Sequence, residues 1–382
     1  MSDPATTTSP EAKPRFHALR IARVERDAAD GMHVTFEVPA EARAAFRFRP
    51  GQHLTVRATI DGAEARRSYS ICSGPRGKGG DGALEVTIKR VEDGVFSSWA
   101  HGHLKAGAVL DVMPPSGRFT LPAPVAGAAD GGVRTYLAVC AGSGITPVIS
   151  MIRHVLADEP ASHFVLIYGN RTTGSILFRD ALDDLKDTAL GRLTVVHVLS
   201  RGDEADVPML AGRIDAAKLT ALVPKLVPVA SITHAVLCGP DTLIKTAMAA
   251  LQVLGVPREK IGFEFFVRGR DERGPRVEKA KAAVAEAEAQ GTELVVALDG
   301  SRRTIRMRPD ETILEAALRS GANAPYSCRG GMCCTCRAKL VEGLAAMDAN
   351  FSLEAWEERQ GFILTCQARP KSARVVVDYD QV

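Results

Sequence analysis

The chain has 382 residues, too many for one ordinary core, with 46% apolar and 24% charged residues and a net charge of +3. It therefore reads as a globular protein of two or three domains. So small a net charge gives no footprint for nucleic acid, and the absence of an eighteen-residue apolar run excludes membrane insertion by a helix. The polar opening "MSDPATTTSPEAKP", residues 1–14, lacks the apolar stretch of a signal peptide and is expected to be a disordered tail. A cytoplasmic protein is expected, with its thiols reduced and its clustered cysteines more suited to metal than to disulfides.

Residues 15–124 carry short β-branched runs bounded by Gly, Pro and Asp, among them "HVTFEV", "HLTVRATI" and "ALEVTIKRV". Regularly spaced short strands predict an antiparallel β-barrel, and Asp61-Gly62 predicts a hairpin turn. At the end of one strand stands "RRSYSI". Its Arg67, Tyr69 and Ser70 suit a flavin: a guanidinium for phosphate, an aromatic ring to pack on the isoalloxazine, and a hydroxyl near the reacting nitrogen. Further on, "EDGVFSSW" offers Gly94 and Ser97 at a helix start, where backbone N–H groups suit a pyrophosphate.

Residues 132–267 alternate apolar runs ("RTYLAVC", "HFVLIYG", "LTVVHVLS", "HAVLCG") with helix-compatible segments, which predicts an α/β domain with a parallel sheet. "VCAGSGITPV" reads as strand, Gly-rich turn and helix. Gly142 and Gly144 permit close approach to a dinucleotide, and Thr146 and Pro147 fall in the first helical turn. The pattern is G-x-G-x-x-P, without the acidic residue that holds a ribose diol about twenty positions on. Arg171 and Arg201, with Ser200, fall just past the carboxyl ends of two predicted strands, a set suited to a 2′-phosphate, hence NADPH. Cys238, Gly239 and Pro240 end the next strand, with Cys238 on the nicotinamide side. Residues 268–292 are charged and Ala-rich and are expected to be a linker, partly helical over 276–290.

The last segment, 293–382, opens on a predicted hairpin at Asp299-Gly300, followed by a helix with Asp310 as its N-cap and Gly321 as its stop. Then comes "PYSCRGGMCCTCRAKL". Cys328, Cys333 and Cys336 have the spacing C-x₄-C-x₂-C, and Cys366 lies downstream, the plant-type [2Fe–2S] pattern. Gly330 and Gly331 let the backbone wrap the sulfurs. Cys334 fits neither spacing and is expected to be a filler. A structural zinc site is disfavoured, since only one C-x₂-C pair occurs and no His lies between Val295 and Val382.

In this order, "RSYS", "AGSGITP", "YGNRT" and "CGP" resemble the ferredoxin–NADP reductase superfamily. With the C-terminal "CRGGMCCTC…LTCQ", the chain resembles the three-domain reductases that serve oxygenases. "FRPGQHLTV", "LIYGNRT", "GRID" and "NFSLE…GFILTCQARP" are similar to the reductase subunits of bacterial ring-1,2-phenylacetyl-CoA epoxidases. This resemblance implies an antiparallel flavin barrel, an α/β nucleotide domain and an α+β β-grasp ferredoxin. It implies FAD at Arg67, Tyr69, Ser70, Gly94 and Ser97, and the nicotinamide dinucleotide at Gly142, Gly144 and Thr146. Ser200 and Arg201 would hold the adenosine phosphate, Cys238 would approach the nicotinamide, and Glu264 and Phe266 would lie near the flavin. Electrons would pass from NADPH through FAD and the 2Fe-2S cluster to a di-iron oxygenase complex, with phenylacetyl-CoA epoxidase subunits as the partners. The acceptor is on another chain, so another oxygenase, hydroxylase or desaturase stays open. A redox-sensing binding protein does not need intact nucleotide and flavin motifs.

Overall fold

The computed structural model describes residues 16–74, 84–123, 132–201, 207–266 and 291–381. The expected tail (1–14) and, but for its last two residues, the expected linker (268–292) lie outside them. Among the described residues no helix is long and apolar enough to cross a membrane.

The chain divides into two compact units. The larger begins with a six-stranded lobe. It comprises β1 (His17–Asp27), β2 (Gly31–Glu37), β3 (His53–Ile60), β4 (Ala63–Ser70), β5 (Leu84–Lys89), helix α1 (Val95–His103) and β6 (Val109–Val112), in the sheet order β4-β3-β6-β1-β2-β5. The two edges meet where Ile71 bridges Val86 and the Cys72 N–H donates to the Glu85 carbonyl at 2.8 Å, so the sheet closes as a barrel. The alternation explains the closure. Met32, Val34 and Phe36 on β2 and Leu84, Val86 and Ile88 on β5 are buried inward, which sends His33, Thr35, Glu85 and Thr87 to the outer face. The β3–β4 hairpin turns on Asp61 and Gly62, both left-handed (φ 49° and 78°), as a type I′ turn requires.

The second lobe of this unit alternates β7 (Thr135–Ala141), α2 (Ile145–Asp158), β8 (His163–Asn170), α3 (Arg179–Thr188), β9 (Leu193–Leu199), α4 (Ala216–Leu226), β10 (Ile232–Gly239), α5 (Asp241–Val253) and β11 (Ile261–Phe265). The strands are parallel in the order β11-β10-β7-β8-β9. Both faces of β7 are buried. Tyr136, Ala138 and Cys140 join one apolar core with α2, while Leu137 and Val139 join another with α4 and α5. The chain builds outward from β7 to β9 and then crosses back to β10. The order thus reverses between β7 and β10, and the crevice for a ligand opens at their carboxyl ends.

The other unit holds β12 (Glu293–Leu298), β13 (Ser301–Arg306), α6 (Ile313–Arg319), β14 (Arg337–Glu342), β15 (Ala345–Met347), α7 (Ala355–Arg359), β16 (Phe362–Leu364), β17 (Ala368–Pro370) and β18 (Arg374–Asp378). The main sheet runs β13-β12-β18-β14-β16, with β12 and β18 parallel, and α6 buries Ile313, Leu314, Ala316 and Ala317 in its core: a β-grasp. Asp310 is not the N-cap of α6. It takes a left-handed φ of 64°, whereas a cap residue needs extended backbone. Thr312 is the cap: it accepts the Glu315 N–H at 3.3 Å, and Glu315 reaches back to the Thr312 N–H at 2.8 Å. Gly321, left-handed at φ 78°, follows the helix end.

Candidate functional site

The cysteine loop lies between α6 and β14, and Cys366 between β16 and β17. Cys333, Cys336 and Cys366 are buried and Cys328 is half-buried. The thiols fall into two neighbouring pairs, Cys328 beside Cys333 and Cys336 beside Cys366. Cys328 is held down to about 6, first by the Cys333 thiol and then, against its burial, by the backbone N–H groups of Gly330, Met332 and Cys333. Cys366 is lowered by the Cys336 thiol, while Cys333 and Cys336 are raised by their partners and by burial. Each pair thus has one thiol held more acidic than its partner. The Gly330 N–H points at Cys328 Sγ (3.4 Å), the Cys328 N–H at Cys333 Sγ (3.5 Å), and Gln367 Nε2 at Cys366 Sγ (3.6 Å). An all-sulfur donor set in two pairs, lined by N–H groups, fits a [2Fe–2S] centre.

The loop that makes this cradle is tightly wound: Arg329, Gly331 and Cys334 are all left-handed, at φ 48°, 77° and 56°. A Cβ on Gly331 would stand 2.9 Å from the Ala349 carbonyl oxygen, so only glycine fits. Cys334 packs against the apolar core of the domain. Sequence reasoning missed the support behind Cys336. Buried Tyr379 donates to Thr365 Oγ1 at 2.8 Å, and that hydroxyl donates to the Cys336 carbonyl at 2.9 Å. The signal was a hydroxyl directly before a candidate ligand, too common to single out.

In the α/β lobe the loops after β7 and β10 interlock. Gly142 is left-handed (φ 55°), and Gly239 takes φ 148°. A Cβ on Gly144 would lie 2.2 Å from the Cys238 carbonyl oxygen. These glycines bring two strand ends together at the topological switch point, where the turn between β7 and α2 can admit a dinucleotide. Gly144→Ala forces backbone against backbone and is expected to cost about 1–3 kcal/mol at this junction. NAD(P)H binding should weaken by about tenfold, read as KM; an unchanged KM would separate this loop from the nucleotide.

Cys238 is fully buried and sits across from Cys140 on β7 and Glu264 on β11. Burial, then the Glu264 charge, push its thiol up. The Phe266 N–H donates to the Gly239 carbonyl at 3.2 Å. Arg171 and Arg201 follow adjacent strands, β8 and β9. Their backbones are joined by the Arg201 N–H to the Arg171 carbonyl (2.8 Å) and the Ser200 N–H to the Asn170 carbonyl (2.9 Å), and both arginine side chains are exposed.

In the barrel, Arg67, Tyr69 and Ser70 pair with Val56, Leu54 and His53 of β3. The Tyr69 ring lies 5.8 Å from Phe96 in the first turn of α1, so the tyrosine and the Gly94 helix start are neighbours. Burial raises the Tyr69 phenol, with the Arg67 charge pulling the other way, and it stays neutral. The Ser97 hydroxyl accepts the Val91 N–H (3.1 Å) and donates to the Gly94 carbonyl (3.2 Å). That hydroxyl closes the turn, so a phosphate would meet the backbone N–H groups of the first helical turn rather than the hydroxyl. His53 was missed. It is 3% exposed, its Nε2 lies 3.2 Å from Ser116 Oγ, and burial drives its pKa down to about 4, leaving a neutral imidazole beside Ser70. Its signal was weak, a polar residue heading a strand that also carries Thr55, Arg57 and Thr59.

Three family profiles match in order: Oxidoreductase FAD-binding domain over residues 18–121, Oxidoreductase NAD-binding domain over 138–249, and 2Fe-2S iron-sulfur cluster binding domain over 296–371. The chain is 42% identical to one of the subunits of 1,2-phenylacetyl-CoA epoxidase of Escherichia coli (strain K12), over 96% of this chain and 98% of that one. It is 33% identical to the ferredoxin reductase component of 3-ketosteroid-9-alpha-monooxygenase of Rhodococcus rhodochrous, over 94% and 96%. Among solved structures, phthalate dioxygenase reductase shares the fold, with a TM-score of 0.57 at 24% identity over 95% of this chain and 98% of that one.

Proposed function

The chain belongs to the family of oxygenase reductases that join FAD-binding, NAD-binding and 2Fe-2S domains in one polypeptide, and on that premise we propose that it takes electrons from NADPH to the di-iron oxygenase of phenylacetyl-CoA ring epoxidation, in the cytoplasm. Electron transfer from NAD(P)H through FAD to the 2Fe-2S centre is the activity of the family fold. The observation that carries the choice of acceptor is the 42% identity, along almost the whole of both chains, to the epoxidase component.

The residues divide the work. Arg67 and the N–H groups of the turn from Gly94 to Ser97 would hold the FAD phosphates, with the Tyr69 ring and Ser70 hydroxyl at the isoalloxazine. Bound FAD converts a two-electron donor into a source of single electrons. Gly142, Gly144 and Thr146 would line the nicotinamide dinucleotide, faced by Cys238, Gly239 and Pro240. Cys328, Cys333, Cys336 and Cys366 would hold the cluster, which carries one electron at a time.

NADPH is favoured by Ser200 and Arg201 at the end of β9 beside Arg171 at the end of β8. A charge-assisted contact to a 2′-phosphate is worth about 1.5–3 kcal/mol. Arg201→Ala is therefore expected to raise KM for NADPH by about tenfold or more while KM for NADH barely moves; equal changes would remove Arg201 from phosphate recognition.

The acceptor is tested by affinity capture of the tagged chain from phenylacetate-grown host cells, followed by an assay of the captured assembly. Oxygenation of phenylacetyl-CoA with NADPH is the expected result. Capture of an oxygenase acting on another substrate would replace this acceptor.

A further inference from the structure

The outer faces of β2 and β5 are polar, and they carry a chain of contacts. His33 Nδ1 lies 2.8 Å from Thr87 Oγ1, the Thr87 hydroxyl meets Cys72 Sγ at 3.4 Å, and the Cys72 thiol donates to Glu85 Oε1 at 3.3 Å. His33, Cys72 and Glu85 bring one potential ligand atom each within 4.8 Å of one another. A cation is already supplied there, because Arg153 stands 3.7 Å and Arg23 3.8 Å from the Glu85 carboxylate. The cluster is a polar knot rather than a metal centre, and one of its two cations, Arg153, comes from the other lobe.

Arg153 belongs to α2. Its Nη1 donates to the Cys72 carbonyl at 2.6 Å, and Ser150, one turn earlier, donates to the Ser73 carbonyl at 2.7 Å. Cys72 and Ser73 follow directly on the Tyr69-Ser70-Ile71 stretch. The opposite end of α2 is the turn Gly142–Gly144, about 14 Å away for nine residues of helix. One rigid element thus spans from the nucleotide turn to the segment that anchors the flavin strand. A second contact flanks it: the Phe178 N–H donates to Asp27 Oδ2 at 2.7 Å, and the same oxygen lies 3.0 Å from His33 Nε2.

We propose that Arg153 is a positioning residue for electron entry. It fixes the strand end Ile71–Ser73 to α2, and so fixes the flavin motif relative to the nucleotide turn. The transfer moves one hydrogen with two electrons from nicotinamide carbon 4 to the flavin ring, oxidising the nucleotide and reducing the flavin. Arg153 gives and takes no proton or electron in it. Misplacement by about 1 Å costs such a reaction up to roughly a hundredfold. The inference rests on the FAD and nucleotide sites proposed above.

The test compares the holoprotein with Arg153→Ala, Arg153→Lys, Ser150→Ala and Gly144→Ala. Arg153→Ala is expected to slow anaerobic flavin bleaching by NADPH or NADH about ten- to a hundredfold. FAD content and affinity for the oxidised nucleotide should hold, and the isotope effect from carbon-4 deuteration should rise. Backbone amide exchange at Ile71 and Cys72 should quicken, and Lys should restore part of the rate. Unchanged bleaching, or slowing matched by lost FAD, overturns the proposal. Should Arg153→Ala fail to fold, Ser150→Ala decides, with the same signature expected and a wild-type rate and isotope effect overturning it. If Gly144→Ala impairs nucleotide binding while the Arg153 and Ser150 variants behave as wild type, this inference alone fails. If Gly144→Ala also binds nucleotide normally, the nucleotide site itself has been misplaced.

Discussion

Cys328→Ser is expected to lose iron, labile sulfide and the EPR signal of the reduced cluster, and with them all delivery to an oxygenase, while NAD(P)H-driven ferricyanide reduction persists. The donor chemistry sets the first half. A thiolate is the ligand form, and Cys328 is the sulfur the loop holds lowest, at about 6, through its Cys333 partner and three backbone N–H groups. A serine hydroxyl at the same place stays protonated. The second half follows from the division of the chain, since barrel and α/β lobe form a compact unit with cores of their own. Full iron retention in the variant would contradict the ligand assignment; loss of ferricyanide reduction would contradict the independence of the flavin part.

Glu357→Ala should destabilise the ferredoxin domain by about 3–5 kcal/mol, the cost of leaving one partner of a buried ion pair alone. The Glu357 side chain is 0% exposed, and its Oε1 lies 2.9 Å from Arg337 Nε, whose guanidinium stands 3.8 Å over the Phe362 ring. Glu357 also caps α7, where its carboxylate accepts the Glu354 N–H at 3.0 Å. Arg337 follows Cys336 directly in sequence, so the loss should reach the cluster. Urea denaturation of the full-length holoprotein, followed by iron release and near-ultraviolet circular dichroism, measures it. Glu357→Gln should recover part of the loss because it keeps an oxygen for the cap. A midpoint unmoved by Glu357→Ala would show that Arg337 finds solvent at little cost.

Much of this was legible because certain residue types answer to one backbone shape. Asp61-Gly62 and Asp299-Gly300 each turn with two left-handed residues, which explains why the hairpins were readable. The runs "HLTVRATI" and "HFVLIYG" became β3 and β8 because their β-branched and aromatic side chains meet a core on at least one face. Other features had competing signals. In "DETILE" both Asp310 and Thr312 are good caps, and Glu315, three residues past Thr312, decides between them. The knot around Cys72 was not legible. The pattern marks His33, Glu85 and Thr87 as outward-facing, but only the folded chain brings Arg153 of α2 over them. For the same reason the role of the Ser97 hydroxyl was not legible: it closes the turn before α1 and leaves the backbone N–H groups for a pyrophosphate.

The spacing of the cluster cysteines carries a consequence for the life of the protein. Cys328, Cys333 and Cys336 share one loop, but Cys336 is paired with Cys366, beyond β14, β15, α7 and β16. An occupied centre is therefore a crosslink around a long segment, and it removes chain entropy from the unfolded state as a disulfide does. Metal affinity and folding free energy are thereby linked in this domain. An oxidant that destroys the cluster would cut the crosslink in the same event, and a domain without its tie opens to proteases more often.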